Sequence, residues 1–138
     1  MIILDTNVVA VLMGTSKHDV ATAWLNRQDP HALFLTAITR AEVRYGIARL
    51  PAGSRRDRLS RMADNLFTSQ ADRTLMFDIA AADYYGDIVA GRERDGRPIG
   101  SADAQIAAIA RVHDAIVATR DSNGFLRTGV TTVDPFES

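Results

Sequence analysis

The chain has 138 residues, of which 46% are hydrophobic and 24% charged, and its formal net charge is −1. This composition indicates a single folded globular domain over residues 1–138. The near-neutral charge argues against non-specific coating of nucleic acids, and the absence of cysteine excludes disulfides and thiolate metal sites.

The short apolar stretches and the position of the only lysine exclude several further classes of protein. The longest uninterrupted apolar stretch is VVAVLM at residues 8–13, which is far too short to span a bilayer. Asp5 interrupts the first apolar residues, so they do not resemble a signal peptide. The single lysine, Lys17, does not follow a glycine, which excludes a P-loop. We therefore expect a cytoplasmic protein without membrane contact.

Apolar runs of strand length alternate with helical patterns along the chain. In chain order, the sequence predicts a strand at 2–4, a candidate helix at 8–13, a helix at 18–28, a strand at 32–38, helices at 39–50 and 54–67, a strand at 74–77, helices at 78–94 and 101–113, and strands at 115–119 and 130–133. This alternation predicts an α/β fold with a central, mostly parallel five-stranded sheet between two layers of helices.

Two of the predicted helices begin with a capping pattern. Thr39 and Glu42 are spaced as a capping box at the start of helix 39–50, and Ser54 and Asp57 have the same spacing at the start of helix 54–67. Glu42 is accordingly expected in the first turn of its helix.

Four acidic residues fall where predicted strands end or where the following helices begin: Asp5, Glu42, Asp103 and Asp121. Each also has a purely structural interpretation. Asp5 can cap a helix, Glu42 can complete a capping box, Asp103 suits a helix N-terminus, and Asp121 can start a turn.

Considered together, the four acids indicate a metal site. In a parallel sheet they would converge on one edge, where four carboxylates repel one another unless a cation or a proton intervenes. Oxygen ligands suit Mg²⁺ or Mn²⁺, and such an ion is suited to the hydrolysis of phosphodiester bonds.

The segments that contain these acids resemble a known family when they are considered in order. LDTN at 4–7, AITRAEVRYG at 37–46, PIGSADAQIAAIA at 98–110 and VATRDSNGF at 117–125 resemble the PIN-domain ribonucleases. Within that family the resemblance is to the VapC-type toxins of bacterial toxin–antitoxin pairs, in particular the FitB-like branch. It extends over about residues 1–136.

The resemblance implies a PIN-like α/β/α fold, usually homodimeric, that cleaves RNA with Mg²⁺ or, as a substitute, Mn²⁺. It also implies a small VapB-type antitoxin that covers the active site, with DNA bound only through that antitoxin. Supporting roles are implied for Asn7, which would hydrogen-bond carboxylates, and for Thr119, which would contact a bound water or phosphate. The implied metal ligands are Asp5, Glu42, Asp103 and Asp121.

Other features of the sequence leave alternatives open. Arg120 occupies a position where many relatives carry Asn, so its side chain either points away from the site or binds a phosphate. The arginines between Arg49 and Arg61 form either a solvated helix face or a contact for RNA or an acidic partner. A non-catalytic member of a promoter-binding regulatory complex is the alternative function, although the complete set of acids favours a nuclease.

Overall fold

A computed structural model describes residues 1–137 of the protein, and within them the central sheet has five strands, all parallel. The strands are β1 (Ile2–Leu4), β2 (Leu33–Thr36), β3 (Thr74–Leu75), β4 (Ile116–Ala118) and β5 (Thr132–Val133). Their order across the sheet is β3-β2-β1-β4-β5. The order therefore reverses between β1 and β4, and ligands of open parallel sheets bind beside such a reversal, beyond the carboxyl ends of the strands.

Helices cover both faces of this sheet. They are α1 (Thr6–Met13), α2 (Asp19–Arg27), α3 (Ala37–Ala48), α4 (Ser54–Ser69), α5 (Ile79–Arg94) and α6 (Ser101–His113). Short 3-10 turns lie at Pro30–Ala32, Ala71–Arg73 and Ser122–Phe125. The last of these turns follows β4 at the carboxyl edge of the sheet.

Two hydrophobic cores lie on opposite faces of the sheet because successive strand side chains point in opposite directions. Ile3 and Val117 are fully buried in the core formed with α5 and α6. Leu4 and Ala118, one residue further along the same strands, are fully buried in the core formed with α1 to α4. The protein is thus an α/β/α sandwich.

Helix α6 packs closely because its buried face consists largely of alanine. Its buried residues include Ala104, Ala107, Ala108 and Ala110. Small side chains allow the helix to approach both α5 and the sheet, with Ile106 and Ile109 filling the remaining space. This packing fixes the N-terminus of α6, which contains Asp103.

The fold predicted from the sequence is confirmed, including the sheet between two helical layers. The predicted strand at 2–4 and the predicted helix at 101–113 have the observed bounds, and the candidate at 8–13 is part of α1. The other predicted strands and helices are present with bounds that differ by a few residues. The other four strands are shorter than predicted because their terminal residues belong to irregular segments, to a 3-10 turn or, for β2, also to the following helix.

The predicted capping box at the start of α3 is wrong. The hydroxyl of Thr36 accepts a hydrogen bond from the Thr39 N–H at 3.1 Å, so Thr36 is the N-cap and Thr39 lies inside the helix. The helix starts two residues earlier than predicted, and Glu42 therefore lies in its second turn rather than its first.

The predicted pair of Ser54 and Asp57 is also wrong. The N-cap of α4 is Gly53, and no side chain caps this helix start. Gly53 has a φ of 158°, and the Asp57 N–H donates to its carbonyl in the first helical hydrogen bond. Backbone geometry at the glycine, rather than a serine side chain, starts α4.

Among the helices of residues 1–137, none has the length and hydrophobicity needed to cross a membrane.

Candidate active site

Asp5 lies at the junction of β1 and α1, beside the reversal of strand order. Its backbone N–H donates to the Ala118 carbonyl of β4 at 2.9 Å, which continues the sheet by one residue. Its Oδ1 accepts from the Thr6 N–H at 2.8 Å and caps α1. Its Oδ2 accepts from the Thr119 hydroxyl at 2.8 Å. Only 7% of the surface of Asp5 is exposed. The contacts with Thr6 of α1 and with Thr119, which follows β4, hold its side chain in one orientation.

Thr119 links two of the acids from inside the protein. Its hydroxyl donates to Asp5 Oδ2 and accepts from the Asp121 N–H at 3.0 Å. Thr119 is fully buried, and the one hydrogen of its hydroxyl is used by Asp5. This arrangement differs from the expected contact with water or phosphate and makes Thr119 the connection between Asp5 and the segment that contains Asp121.

Asp103 and Asp121 face each other across Gly124. A methyl group placed on Gly124 would lie 2.8 Å from Asp121 Oδ2 and 3.4 Å from Asp103 Oδ2. Both carboxylates therefore reach the same small space, and only the absence of a side chain at Gly124 leaves room for them. The Gly124 N–H also donates to Asp121 Oδ1 at 3.2 Å, which fixes the turn after β4.

Glu42 reaches the site from α3 and is oriented by a residue that the sequence analysis did not include among the site residues. The Thr6 hydroxyl donates to Glu42 Oε1 at 2.8 Å, so α1 fixes one oxygen of this exposed carboxylate. Thr6 directly follows Asp5 and is the first residue of α1. The sequence signal that could have indicated this role of Thr6 is its hydroxyl side chain directly after Asp5.

Asn7 and Arg120 connect α1 to the turn after β4. The Asn7 amide oxygen accepts from the Arg120 backbone N–H at 3.3 Å. This contact differs from the expected hydrogen bond between Asn7 and a carboxylate. The Arg120 guanidinium lies over the Phe136 ring, 3.8 Å from its centroid, and this ring also meets His18 edge to face. The Arg120 side chain therefore contacts the C-terminal segment of the described chain.

The pKa of Asp103 shows that the four acids share one electrostatic environment. Burial is the main cause that raises the pKa of Asp103 to about 6, and the charges of Asp5, Asp121 and Glu42 contribute to this rise, in that order of importance. Such shifts arise when carboxylates crowd without a cation between them. The structure therefore brings the other three predicted acids within electrostatic range of Asp103.

Burial is also the main cause that raises the pKa of Asp5. Hydrogen bonds from Thr119 and Thr6 oppose this shift, and the charge of Asp121 adds to it. A cation near these acids would relieve both the repulsion and the cost of burying their charges.

The donor set fits a hard divalent cation that retains water. Within residues 1–137, no three acidic or histidine side chains are arranged as a ready-made cage for a metal ion. Mg²⁺ does not need such a cage, because it commonly keeps several waters and takes one or two carboxylates from the protein. The carboxylates at this edge of the sheet, among which Asp5 and Asp103 have raised pKa values, are therefore suited to Mg²⁺ or Mn²⁺.

The raised pKa of Asp103 predicts how the metal-free protein responds to pH. A carboxylate with a folded-state pKa above its unfolded value costs stability as the pH rises through the folded pKa. Between about pH 4 and pH 7 the metal-free protein should lose on the order of 1 kcal/mol for this residue, after allowance for its partial exposure.

Asp103→Asn should remove this loss. In EDTA at about pH 8 the variant should melt a few degrees above the wild type, and at about pH 4 the two should melt together. Thermal unfolding followed by circular dichroism measures both. Asp83→Asn, on the exposed side of α5, is the control and should match the wild type. A lower melting temperature for Asp103→Asn at both pH values would show that Asp103 only stabilises the start of α6.

Comparison with known proteins gives a separate line of evidence. A family model for the PIN domain matches residues 2–130. The chain is 40% identical to the VapC ribonuclease Y4jK of Sinorhizobium fredii, with 99% of each chain covered. It is 35% identical to Toxin FitB of Neisseria gonorrhoeae, again with 99% of each covered. The solved structure of FitAB bound to an IR36 DNA fragment matches with a TM-score of 0.92 at 35% identity, covering 100% of this chain and 97% of that one.

Proposed function

Because the chain belongs to the PIN-domain family, we propose that it is a metal-dependent endoribonuclease that acts in the cytoplasm as the toxin of a toxin–antitoxin pair. The observation that supports this most is the convergence of three carboxylates on Asp103. The 40% identity to a VapC ribonuclease, over nearly the whole of both chains, supports RNA as the substrate.

Asp5, Asp103 and Asp121 would hold Mg²⁺ or Mn²⁺, and Glu42 would complete the acidic set from the open side. The ion would lower the pKa of the attacking water and offset the negative charge of the phosphodiester. The proposal requires at least one ion.

The chain's own residues orient the acids for this reaction. Thr119 fixes Asp5 relative to the Asp121 backbone, and Thr6 fixes one oxygen of Glu42. Glu42 is exposed, and the carboxylate oxygen that does not accept from Thr6 would be free to accept a proton from the attacking water. Preorganised carboxylates avoid the cost of reorienting charges during the reaction.

A groove beside Glu42 supports the proposal of an antitoxin that covers the site. A cavity of about 360 Å³ lies between α1, α3 and α4. Thr6 and Glu42 line it at the acidic end, while Met13, Ile47 and Leu59 give it an apolar floor. Such a groove is suited to the apolar face of a short helix from a partner.

The remaining partner proposals concern DNA and a second copy of the chain. A net charge of −1 gives the chain no basic field of its own, so we propose that it meets DNA only through the antitoxin. The similar FitAB structure is bound to DNA, which supports such a complex. Ile79 and Met76, which are 84% and 65% exposed near the start of α5, support burial of this surface in a homodimer.

Expression in bacteria tests the proposed function. The wild type should arrest growth, and co-expression of the small reading frame that neighbours its gene should relieve the arrest. Asp103→Asn should be harmless at equal protein level, whereas Asp83→Asn should remain toxic. Equal toxicity of Asp103→Asn and the wild type would favour a non-catalytic role in a regulatory complex instead.

A further inference from the structure

Arg92, near the C-terminal end of α5, is a buried arginine with an unusual set of partners. Only 5% of its surface is exposed, although arginine is rarely buried to this extent. Its Nε donates to the Arg97 carbonyl at 2.7 Å. Its Nη1 donates to the carbonyls of Gly124 and Leu126 at 2.7 and 3.0 Å. All of these acceptors are backbone carbonyls.

No carboxylate forms an ion pair with Arg92 in the part of the chain that the structure describes, where the ion pairs are Arg44–Asp64 and Arg127–Asp95. Burying a guanidinium without a carboxylate partner lowers the stability of the fold, because backbone dipoles replace only part of its hydration. An apolar side chain of similar volume would fill this position at lower cost. The charge and the forked shape of Arg92 therefore need another explanation.

The partners of Arg92 belong to the two segments that position the acids on either side of Gly124. Arg97 lies in the segment that connects α5 to α6, six residues before Asp103. Gly124 and Leu126 belong to the turn after β4, which contains Asp121. One planar guanidinium thus fixes the spacing of the segments on which Asp103 and Asp121 lie.

The location of Gly124 makes this spacing important for the site. Its carbonyl is held by Arg92, its N–H donates to Asp121, and its Cα faces both Asp121 and Asp103. A shift of this turn by a fraction of an ångström would change the separation of the two carboxylates. The positive charge of Arg92 also opposes the repulsion that the other acids exert on Asp103.

We propose that Arg92 is a positioning residue that clamps the two segments carrying Asp103 and Asp121 at the separation required for a divalent cation. The inference rests on the proposed nuclease function, since that function supplies the cation and the substrate. Arg92 itself contacts neither of them. It acts through the backbone of the turn after β4 and of the segment before α6.

Arg92→Lys and Arg111→Lys form a matched pair for testing this proposal. Lysine keeps the charge but concentrates its donors on one nitrogen, so it cannot span the three carbonyls. Arg111 on α6 donates to the Thr128 carbonyl at 3.4 Å and stacks on Tyr84. It therefore touches the same part of the chain, beyond the turn that contains Asp121. Arg111→Lys removes a comparable packing contact without affecting the clamp.

Binding of Mn²⁺ is the first measurement, and it does not require catalysis. Mn²⁺ should raise the melting temperature of the wild type and of Arg111→Lys at similar concentrations. Arg92→Lys should need about tenfold more Mn²⁺ for the same rise, because residues that orient ligands typically contribute 10- to 100-fold to metal affinity. Hydrogen exchange of residues 121–127 should be faster in Arg92→Lys than in Arg111→Lys.

RNA cleavage at saturating Mn²⁺ is the second measurement. Arg92→Lys should have a lower kcat with little change in KM, because RNA binding does not involve Arg92. Arg92→Ala should be slower still and should recover part of its kcat when guanidinium ions are added at concentrations below those that denature the wild type. Arg111→Ala should show no such recovery.

The results separate failure of the clamp from failure of the nuclease. A wild type that neither binds Mn²⁺ nor cleaves RNA overturns the proposed function and the clamp together. A wild type that does both, with Arg92→Lys equal to it in Mn²⁺ requirement and kcat, overturns the clamp alone. Loss of folding in both Arg92→Lys and Arg92→Ala also overturns it, because Arg92 would then be a residue of general stability.

Discussion

Replacing Asp5 with Asn is expected to slow RNA cleavage by about a thousandfold or more while leaving the protein folded. Asparagine keeps the oxygen that accepts from the Thr6 N–H, so α1 retains its cap. The change removes the charge that would attract the cation, and loss of about 4 kcal/mol of transition-state stabilisation corresponds to this factor. Cleavage of a labelled RNA by purified protein measures the rate, and thermal unfolding measures the stability.

Asp78→Asn is the matched control for Asp5→Asn. Asp78 caps α5 by accepting from the Ala81 N–H at 3.0 Å. It is not one of the four acids of the site. Both variants replace a helix-capping aspartate with asparagine, but only Asp5→Asn removes a charge from the site and an acceptor from the Thr119 hydroxyl. If the two variants cleaved RNA equally well, capping alone would account for Asp5.

Glu42→Gln extends the same comparison to α3. The glutamine oxygen can still accept from the Thr6 hydroxyl, so the change removes charge with little loss of position. A large loss of activity would identify the charge of Glu42 as the required property.

Replacing Gly124 with Ala should reduce RNA cleavage by on the order of a hundredfold, because displacement of reacting groups by about 1 Å has effects of this size. The added methyl would lie 2.8 Å from Asp121 Oδ2, so the carboxylate or the turn must move. The φ of Gly124 is not in the left-handed region, so alanine introduces no backbone strain there. The melting temperature should therefore change much less than the rate.

Gly86→Ala is the control for Gly124→Ala. No atom lies within 4 Å of a methyl group placed on Gly86, which is inside α5. This variant should keep full activity. It should gain about 0.5 to 1 kcal/mol of stability, because alanine is more stable than glycine inside a helix. Full activity of Gly124→Ala would show that the observed arrangement of Asp121 and Asp103 is not required.

The helices and strands could be predicted because the spacing of apolar residues along the chain differs between the two. The apolar run at Ile2–Leu4 and the helical pattern at 101–113 match the observed elements. The order of the strands could not be derived from these patterns, since neither run specifies its neighbours. The order β3-β2-β1-β4-β5 was therefore not predicted and comes from the structure.

Local errors came from features that a short stretch of sequence does not distinguish. Thr36 and Thr39 are both suitable N-caps, and only the geometry of β2 decides that α3 begins at the earlier one. The sequence does not distinguish a buried from an exposed hydroxyl at Thr119, and the structure shows this residue to be fully buried. Capping and orientation therefore depend on packing between elements distant in sequence.

Arg92 shows the limit of sequence reasoning at the candidate site. In the stretch GRERDGR it has the appearance of an ordinary exposed arginine near a helix end. Its burial arises because the turn after β4 folds over the end of α5, 32 residues further along the chain. The acids could be identified from their spacing, but the residues that hold them in place could not.

Cleavage of RNA by the purified protein with and without a divalent cation tests the central claim most directly. Mg²⁺ or Mn²⁺ should support cleavage, excess EDTA should abolish it, and renewed addition of Mg²⁺ should restore it. Ca²⁺ should bind without restoring full activity, because its looser coordination positions water poorly. Asp103→Asn, prepared in parallel, should be inactive in every condition and exclude a contaminating nuclease. Full activity of the wild type in excess EDTA, or cleavage by Asp103→Asn at the wild-type rate, would contradict the account.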